Sequence, residues 1–552
     1  MTYGIRSLGR LWRYDRGLLL AYGLVAAFLL VFVVAPLMRV AFEPTVADWR
    51  QVFSTPRWRS ASLNTLTMLV LSTGSSLLVG TLYAYAVTRA RVPGAGFFGV
   101  VPLFLLLTPP FVAGLAFILL LGRRGLVTYQ LLGLETSIYG WHGLWLAQTL
   151  SFFPVAYLVL RGSFAAIDPG LEQAARGLGA SRAQVLRTVT LPLATPGLLA
   201  AALFIAIGIL GDFGNPMLVG GRFQVLATAV YTQLSGWASF GTSAALGLLL
   251  LAPAVLLFAA QQWVQGATRE RFATVGGRGS SLPTPTVSPW LRWGLFAFCV
   301  LVTLFVVASH GVVLMGAFTH LWGVDFQPTL EHVAYVLGQF GGLGNSLRFA
   351  AAAALLCTAV AAVAAYLVQR AKVPLRRGLD LATLLPAAIP GTLMGVAFVL
   401  AFNNPSFKLT GTASIIVIAM SVSYLPVGYR ICAAAMDQLK PSLDESAANL
   451  GASKLRVLTT ITAPLVRQAL AAAFVFCFVR SVGTLSTVIF LVSFDTPLAS
   501  VAILNLADQG RWGRAAALAS ALVAVTMLSI GLLYLVTGRS LKPLAESAHA
   551  GA

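Results

Sequence analysis

Apolar runs long enough to cross a bilayer follow one another along the chain, separated by polar intervals that are mostly short. Read as membrane helices, they predict twelve spans. Six lie near 17–38, 63–88, 98–121, 141–161, 196–216 and 240–262, and six near 293–316, 346–369, 379–402, 412–433, 468–492 and 513–536. Two polar intervals are longer than the rest and built alike. Residues 168–198 read DPGLEQAARGLGASRAQVLRTVTLPLATPGL, and residues 440–470 read KPSLDESAANLGASKLRVLTTITAPLVRQAL. An offset of 272 pairs Pro169 with Pro441, Leu178 with Leu450, Gly179 with Gly451 and Pro192 with Pro464.

The repetition reaches beyond the loops. AYAVTRARVP (Ala84 to Pro93) matches AYLVQRAKVP (Ala365 to Pro374) at an offset of 281. The same offset pairs Asn64 with Asn345, Tyr85 with Tyr366 and Pro109 with Pro390. The nine-residue difference falls around Arg123 to Tyr139. Six spans per half is an even number, so the halves are parallel repeats about an axis along the membrane normal, with a pathway between them. The expected fold is an all-α polytopic membrane protein: a first repeat over 1–264, a linker over 265–290 carrying GGRGSS and PTPTVSP, and a second repeat over 291–552.

Composition agrees: 58% of positions are apolar and 10% charged, which excludes a soluble chain. The formal charge of +20 sits in short loops, where it orients spans rather than binding nucleic acid. With the N-terminus inside, the cytoplasmic segments hold 25 Lys and Arg and the opposite ones ten. That puts both repeated loops and both termini in the cytoplasm. The first apolar run has no small-residue cleavage site before it ends, so a retained helix is expected. Cys299, Cys357, Cys432 and Cys477 fall inside apolar runs, without metal-ligand or pairing pattern, and read as buried structural thiols.

The pattern Glu-Ala-Ala-x-x-x-Gly, followed by Leu-Pro, is what the loops resemble: the EAA loop of bacterial ABC-importer permeases. Here it appears in variant form as Gln173-Ala174-Ala175-x-x-x-Gly179 and Glu445-Ser-Ala447-x-x-x-Gly451. The resemblance implies the type I importer permease fold in the bacterial inner membrane. It also implies that each loop is a coupling helix docking on a cytoplasmic ATPase. Glu172, Gln173, Asp444 and Glu445 are then expected to supply polar contacts near the helix N-terminus. Ala174, Ala175 and Ala447 allow close approach, and Gly179 and Gly451 a sharp turn. No Gly-x-x-x-x-Gly-Lys-Ser/Thr phosphate loop occurs in the chain. The expected machine therefore has two copies of a separate ATPase that carry ATP and magnesium, a periplasmic solute-binding protein, and no cofactor or enzyme activity in this chain.

Cargo is read from the segments after the fifth and eleventh spans. Gly211-Asp-Phe-Gly214, Pro216, Gly220-Gly221 and Leu226-Ala-Thr228, with STVIFLVSFDTPLASVAIL from Ser486, are similar to the fused permeases of ferric-iron uptake. Thiamine, phosphonate and sugar-phosphate relatives share much of this and stay open, and a secondary transporter is a distant alternative. Five scattered histidines offer no iron site within the membrane, so the binding protein would hold the metal. Asp212 and Arg480 are ionisable residues at bilayer depth. One reading makes them a gate pair across the pseudo-twofold axis; the other has Asp212 cap a re-entrant helix and Arg480 bond nearby carbonyls. For Asn64, Asn345, Tyr85 and Tyr366, helix packing is the expected role.

Overall fold

The computed structural model describes residues 16–272, 287–338, 340–404 and 407–537. Among the described residues ten helices are long and apolar enough to cross a membrane, and the number of crossings is twelve when each of two sharply bent helix pairs counts as one span. The expected third and ninth spans are not single helices. Ala95–Leu107 and Phe111–Leu121 are separated at Thr108-Pro109-Pro110, and their counterparts Arg376–Ala388 and Gly391–Phe402 meet at 113° across Ile389-Pro390. Proline lacks the N–H and restricts the residue before it, so the paired prolines end the first segment in both halves. At the offset of 281 read from the sequence, Ala95, Leu107 and Leu121 fall on Arg376, Ala388 and Phe402, while the helix after the break starts one residue earlier in the second half, at Gly391.

The fifth and eleventh spans are shifted from the expected 196–216 and 468–492. The first is Arg182–Leu210 and the second Lys454–Leu465 with Arg467–Val482, bent by 78°. Both start inside the repeated polar loop and stop at a glycine, Gly211 or Gly483. Beyond each glycine the chain forms a short helix or turn inside the bundle: Gly214–Val219 in the first half, Val488–Phe490 in the second. The sixth span continues as helix to Phe272, and residues 273–286, most of the expected linker, lie outside the described part.

Lipid-facing leucines and valines such as Leu24, Val70, Leu78, Leu304 and Leu355 are exposed, while the contacts between spans use small residues. In the first half a Cβ on Gly80 would lie 2.3 Å from the Ala156 Cβ. In the second half the small pair is kept with its members exchanged: Ala361 takes the place of Gly80 and Gly428 that of Ala156. Cys357 and Cys477, unremarkable in spacing, come within 3.2 Å of each other as free buried thiols beside Gly428.

Each half lends its first span to the other. The first span packs on the ninth, with the Phe32 and Phe402 rings 5.5 Å apart. The seventh packs on the first half, where Phe98 meets Phe296, Phe117 meets Phe305, and Tyr83 Oη lies 3.3 Å from Thr303 Oγ1. Division at the linker is thus a division of sequence, and the packed halves interlock.

Asn64 and Asn345 act on the loop behind the broken spans, in addition to packing. Asn64 Nδ2 donates to the Gln224 carbonyl at 2.9 Å and Asn345 Nδ2 to that of Pro497 at 3.3 Å. Their neighbours cap the helices that come next: Leu226 N donates to Thr65 Oγ1 at 2.8 Å, and Ala499 N to Ser346 Oγ at 2.9 Å. Removing the acceptor strands a buried N–H, a cost of about 1–3 kcal/mol. Thr65→Val and Ser346→Ala are each expected to lower the melting temperature of the detergent-solubilised protein, and an unchanged melt in both would refute this.

Candidate functional site

Each repeated loop is a helix, a left-handed glycine turn and a second helix that runs on into the next span. In the first, Asp168 caps Pro169–Gly177 by accepting from Gly170 N at 2.8 Å, with Pro169 at the first helical position. Gly179 comes next at φ +90°, then Ser181 and Gln184 form a capping box that opens the second helix. In the other loop, Ser442–Asn449 leads to Gly451 at φ +78°, and Ser453 accepts from Arg456 N at 3.3 Å. The turn expected at these glycines is therefore present, and a side chain there would be strained by the backbone rather than by crowding.

The face each loop leaves open differs from expectation. Leu178 and Leu450, just before the turn glycines, are 90% and 87% exposed. Ala174 and Glu445 are also exposed, Gln173 and Ala175 are half-buried, and Ala447 is buried within the chain. Glu172 and Asp444, expected as outward polar contacts, turn inward. Glu172 is buried, paired with Arg89, and accepts from Thr190 Oγ1 at 2.7 Å. Asp444 Oδ2 lies 2.9 Å from Arg370 Nε. These arginines were not singled out in the sequence, yet the signal was there: both stand in the matching AYAVTRARVP and AYLVQRAKVP segments.

The second feature is a cavity of about 270 Å³ between the halves. It is lined by the Pro109-Pro110 break, Gly211–Gly214 and Phe152 of one half, and by Ile389, Tyr424, Arg480 and Gly483–Thr487 of the other. Asp212 and Arg480 both face it. Asp212 belongs to a buried polar chain: Ser72 Oγ donates to Gln148 Oε1 at 2.8 Å, and Gln148 Nε2 to Asp212 Oδ2 at 3.0 Å. Asn215 adds its side-chain amide at 3.1 Å and its backbone N–H at 3.4 Å. Arg480 is half-buried, its guanidinium 6.0 Å from the centre of the Tyr424 ring. Among the described residues no ion pair joins Asp212 to Arg480; the carboxylate instead faces the first turn of the short helix after the break, where Asn215 N donates to it.

The counterparts of Asp212 and Asn215 are Thr484 and Thr487, and that of Arg480 is Gly208. The duplicated frame thus carries a carboxylate on one wall and a guanidinium on the other. A wider cavity of about 650 Å³ lies at the end of the bundle away from the loops, lined by both halves and including Arg57, Asn64, Arg222, Gln224, Asp508 and Trp512. Among the described residues no three His, Cys, Asp or Glu side chains come together as a metal site. His549 lies outside the described residues.

Two segments, 76–270 and 354–542, match the family described as binding-protein-dependent transport system inner membrane component. Over 488 residues the chain is 33% identical to the ferric transport system permease protein FbpB of Actinobacillus pleuropneumoniae, covering 86% of this chain and 71% of that one. Over 435 residues it is 35% identical to the putative ferric transport system permease protein FbpB 1 of Haemophilus influenzae, covering 76% and 67%. Over 227 residues it is 30% identical to the molybdenum transport system permease protein ModB of Escherichia coli, covering 40% of this chain and 98% of that one.

Asp212→Ala leaves the Gln148 and Asn215 amides without their acceptor in a buried site, at a cost of about 1–3 kcal/mol. Thermal unfolding in detergent is expected to show that loss, and a smaller one for Asp212→Asn, which keeps one acceptor oxygen. Equal stability of Asp212→Ala and the parent would contradict it.

Proposed function

Because the chain belongs to the family of binding-protein-dependent transport system inner membrane components, as a multi-pass ABC-importer permease with the domain present twice, we propose that it forms the whole membrane pathway of an importer for ferric iron. Its similarity over most of its length to two ferric transport permeases carries this reading. A second reading, an anionic cargo such as a phosphonate or sugar phosphate, is favoured by Arg480 on the inner cavity and by Arg57 and Arg222 on the outer one. Uptake into proteoliposomes holding the permease, its ATPase and its binding protein separates the two. ATP-dependent accumulation of radioactive ferric iron is expected, and accumulation of a phosphonate without iron would overturn the assignment.

In this reading the repeated loops and both termini are cytoplasmic, and two ATPase copies bind the loops and supply ATP and magnesium. The paired leucine knobs support it, since an exposed leucine on each loop suits a partner's apolar groove. A loaded periplasmic binding protein docks on the opposite end, over the wider cavity. Closure of the ATPases draws the loops together and rocks one half against the other. No catalytic residue is assigned to this chain. Gln173 and Glu445, at equivalent places, make the two docking faces chemically unequal.

Asp212 and Arg480 would meet, in this scheme, when the cavity between them closes. Uptake by Asp212→Ala, Arg480→Ala and the double variant tests it: a gate requires non-additive losses, and additive ones sink the pair. For the loops, Leu178→Asp with Leu450→Asp is expected to reduce co-purification of the ATPase at least tenfold. Gly179→Leu or Gly451→Leu should abolish uptake while the chain still inserts, and normal transport with both glycines changed would rule out the coupling role.

A further inference from the structure

Each loop is fastened to its own half by an arginine to which the rocking motion by itself gives no role. Arg89 stands at the end of the second span and Arg370 at the end of the eighth, equivalent at the offset of 281. In the first half the Arg89 side chain is 6% exposed and that of its ion-pair partner Glu172 7%. Arg89 Nη1 also donates to the carbonyls of Phe164 at 3.5 Å and Ile167 at 3.3 Å, where the fourth span ends. In the second half Arg370 pairs with Asp444 at 2.9 Å and donates to the carbonyls of Leu439 at 2.7 Å and Lys440 at 3.1 Å. One guanidinium therefore joins three elements in each half: the end of one span, the exit of another and the first helix of the loop.

A buried ion pair is a poor way to gain stability, because desolvation offsets most of the attraction. What it supplies is direction. The planar fork, held by a carboxylate and two carbonyls, resists the sliding that an alanine-rich helix resting on apolar side chains permits. The two copies are also unequal. Thr190 completes the first by donating to Glu172, whereas beside the shorter Asp444 the equivalent Thr462 hydroxyl is buried with no hydrogen-bond partner among the described residues.

We propose that Arg89 and Arg370 are positioning residues of the transport cycle. Each locks its loop to the ends of two spans, so that displacement of the loop turns the half as a body instead of sliding across it. This rests on the loops being ATPase contacts.

The test uses the full chain in nanodiscs with its ATPase and binding protein, reading both ATPase co-purification and the stimulation of ATP hydrolysis by loaded binding protein. Arg89→Gln and Arg370→Gln are each expected to keep the ATPase bound and to lose stimulation at least tenfold. The exchanges Arg89→Glu with Glu172→Arg, and Arg370→Asp with Asp444→Arg, are expected to recover at least a third of it. Stimulation within twofold of the parent in both Gln variants, or exchanges no better than the single changes, overturns the clamp. Should the Gln variants fail to insert, Arg89→Lys and Arg370→Lys keep the charge but replace the planar fork, which spans the carboxylate and both carbonyls, with donors on a single nitrogen. They are expected to lose stimulation likewise, and parent-like stimulation in them overturns the clamp too. An unaltered chain that captures no ATPase sinks the loop reading itself, a result distinct from ATPase captured and stimulated without the clamp.

Discussion

A helix that breaks inside a bilayer frees backbone donors and acceptors that no water or lipid will take, so the protein must supply every partner itself. This chain breaks its third and ninth spans at prolines and ends its fifth and eleventh at glycines, all around one cavity. The partners are side chains from neighbouring spans and from the short helices beside the breaks. Ser151 Oγ donates to the Pro110 carbonyl, Gly114 N donates to Asn215 Oδ1, and Ser500 Oγ donates to the Thr484 carbonyl. Thr65, Ser346, Asn64 and Asn345 do the same for the segments beyond. The polar residues of this apolar chain thus collect where the backbone is irregular, around the cavity between the halves.

Duplication supplies the frame and divergence the chemistry. The breaks, the turn glycines, the caps and the arginine clamps recur in both halves. Ser423 approaches Thr487 at 3.3 Å just as Asn215 donates to Ser151 at 3.3 Å. Against this shared frame the cavity walls differ, with Asp212 facing a threonine's place and Arg480 a glycine's. A cavity lined symmetrically would present the same charge on both walls; this one does not.

The exchange of first spans has a mechanical consequence. Because the first span packs on the ninth and the seventh on the third, neither half can rotate without carrying a helix of the other. The loops are tied to the second and fourth spans of their own halves, and the start of the first span also reaches the second loop, where a Cβ on Gly17 would lie 2.6 Å from Leu455 Cδ2.

Much of this was legible in the sequence because it is written in period and identity. Apolar runs set the number of crossings, and matching segments at offsets of 272 and 281 set the parallel repeat. Gly179 and Gly451 announced turns by their own backbone chemistry, whereas reading each apolar run as one helix hid the breaks at the paired prolines Pro109 and Pro390. Only tertiary structure decided which way the polar side chains face. Glu172 and Asp444 looked like outward contacts beside Gln173 and Glu445, and it is the guanidinium of an arginine about eighty residues earlier that draws them inward. The same holds for Asp212, whose partners Gln148 and Asn215 come from another span and the next helix rather than from Arg480. Local propensity belongs to a segment and can be read from it; a buried polar group's partner is chosen by packing, which no segment contains.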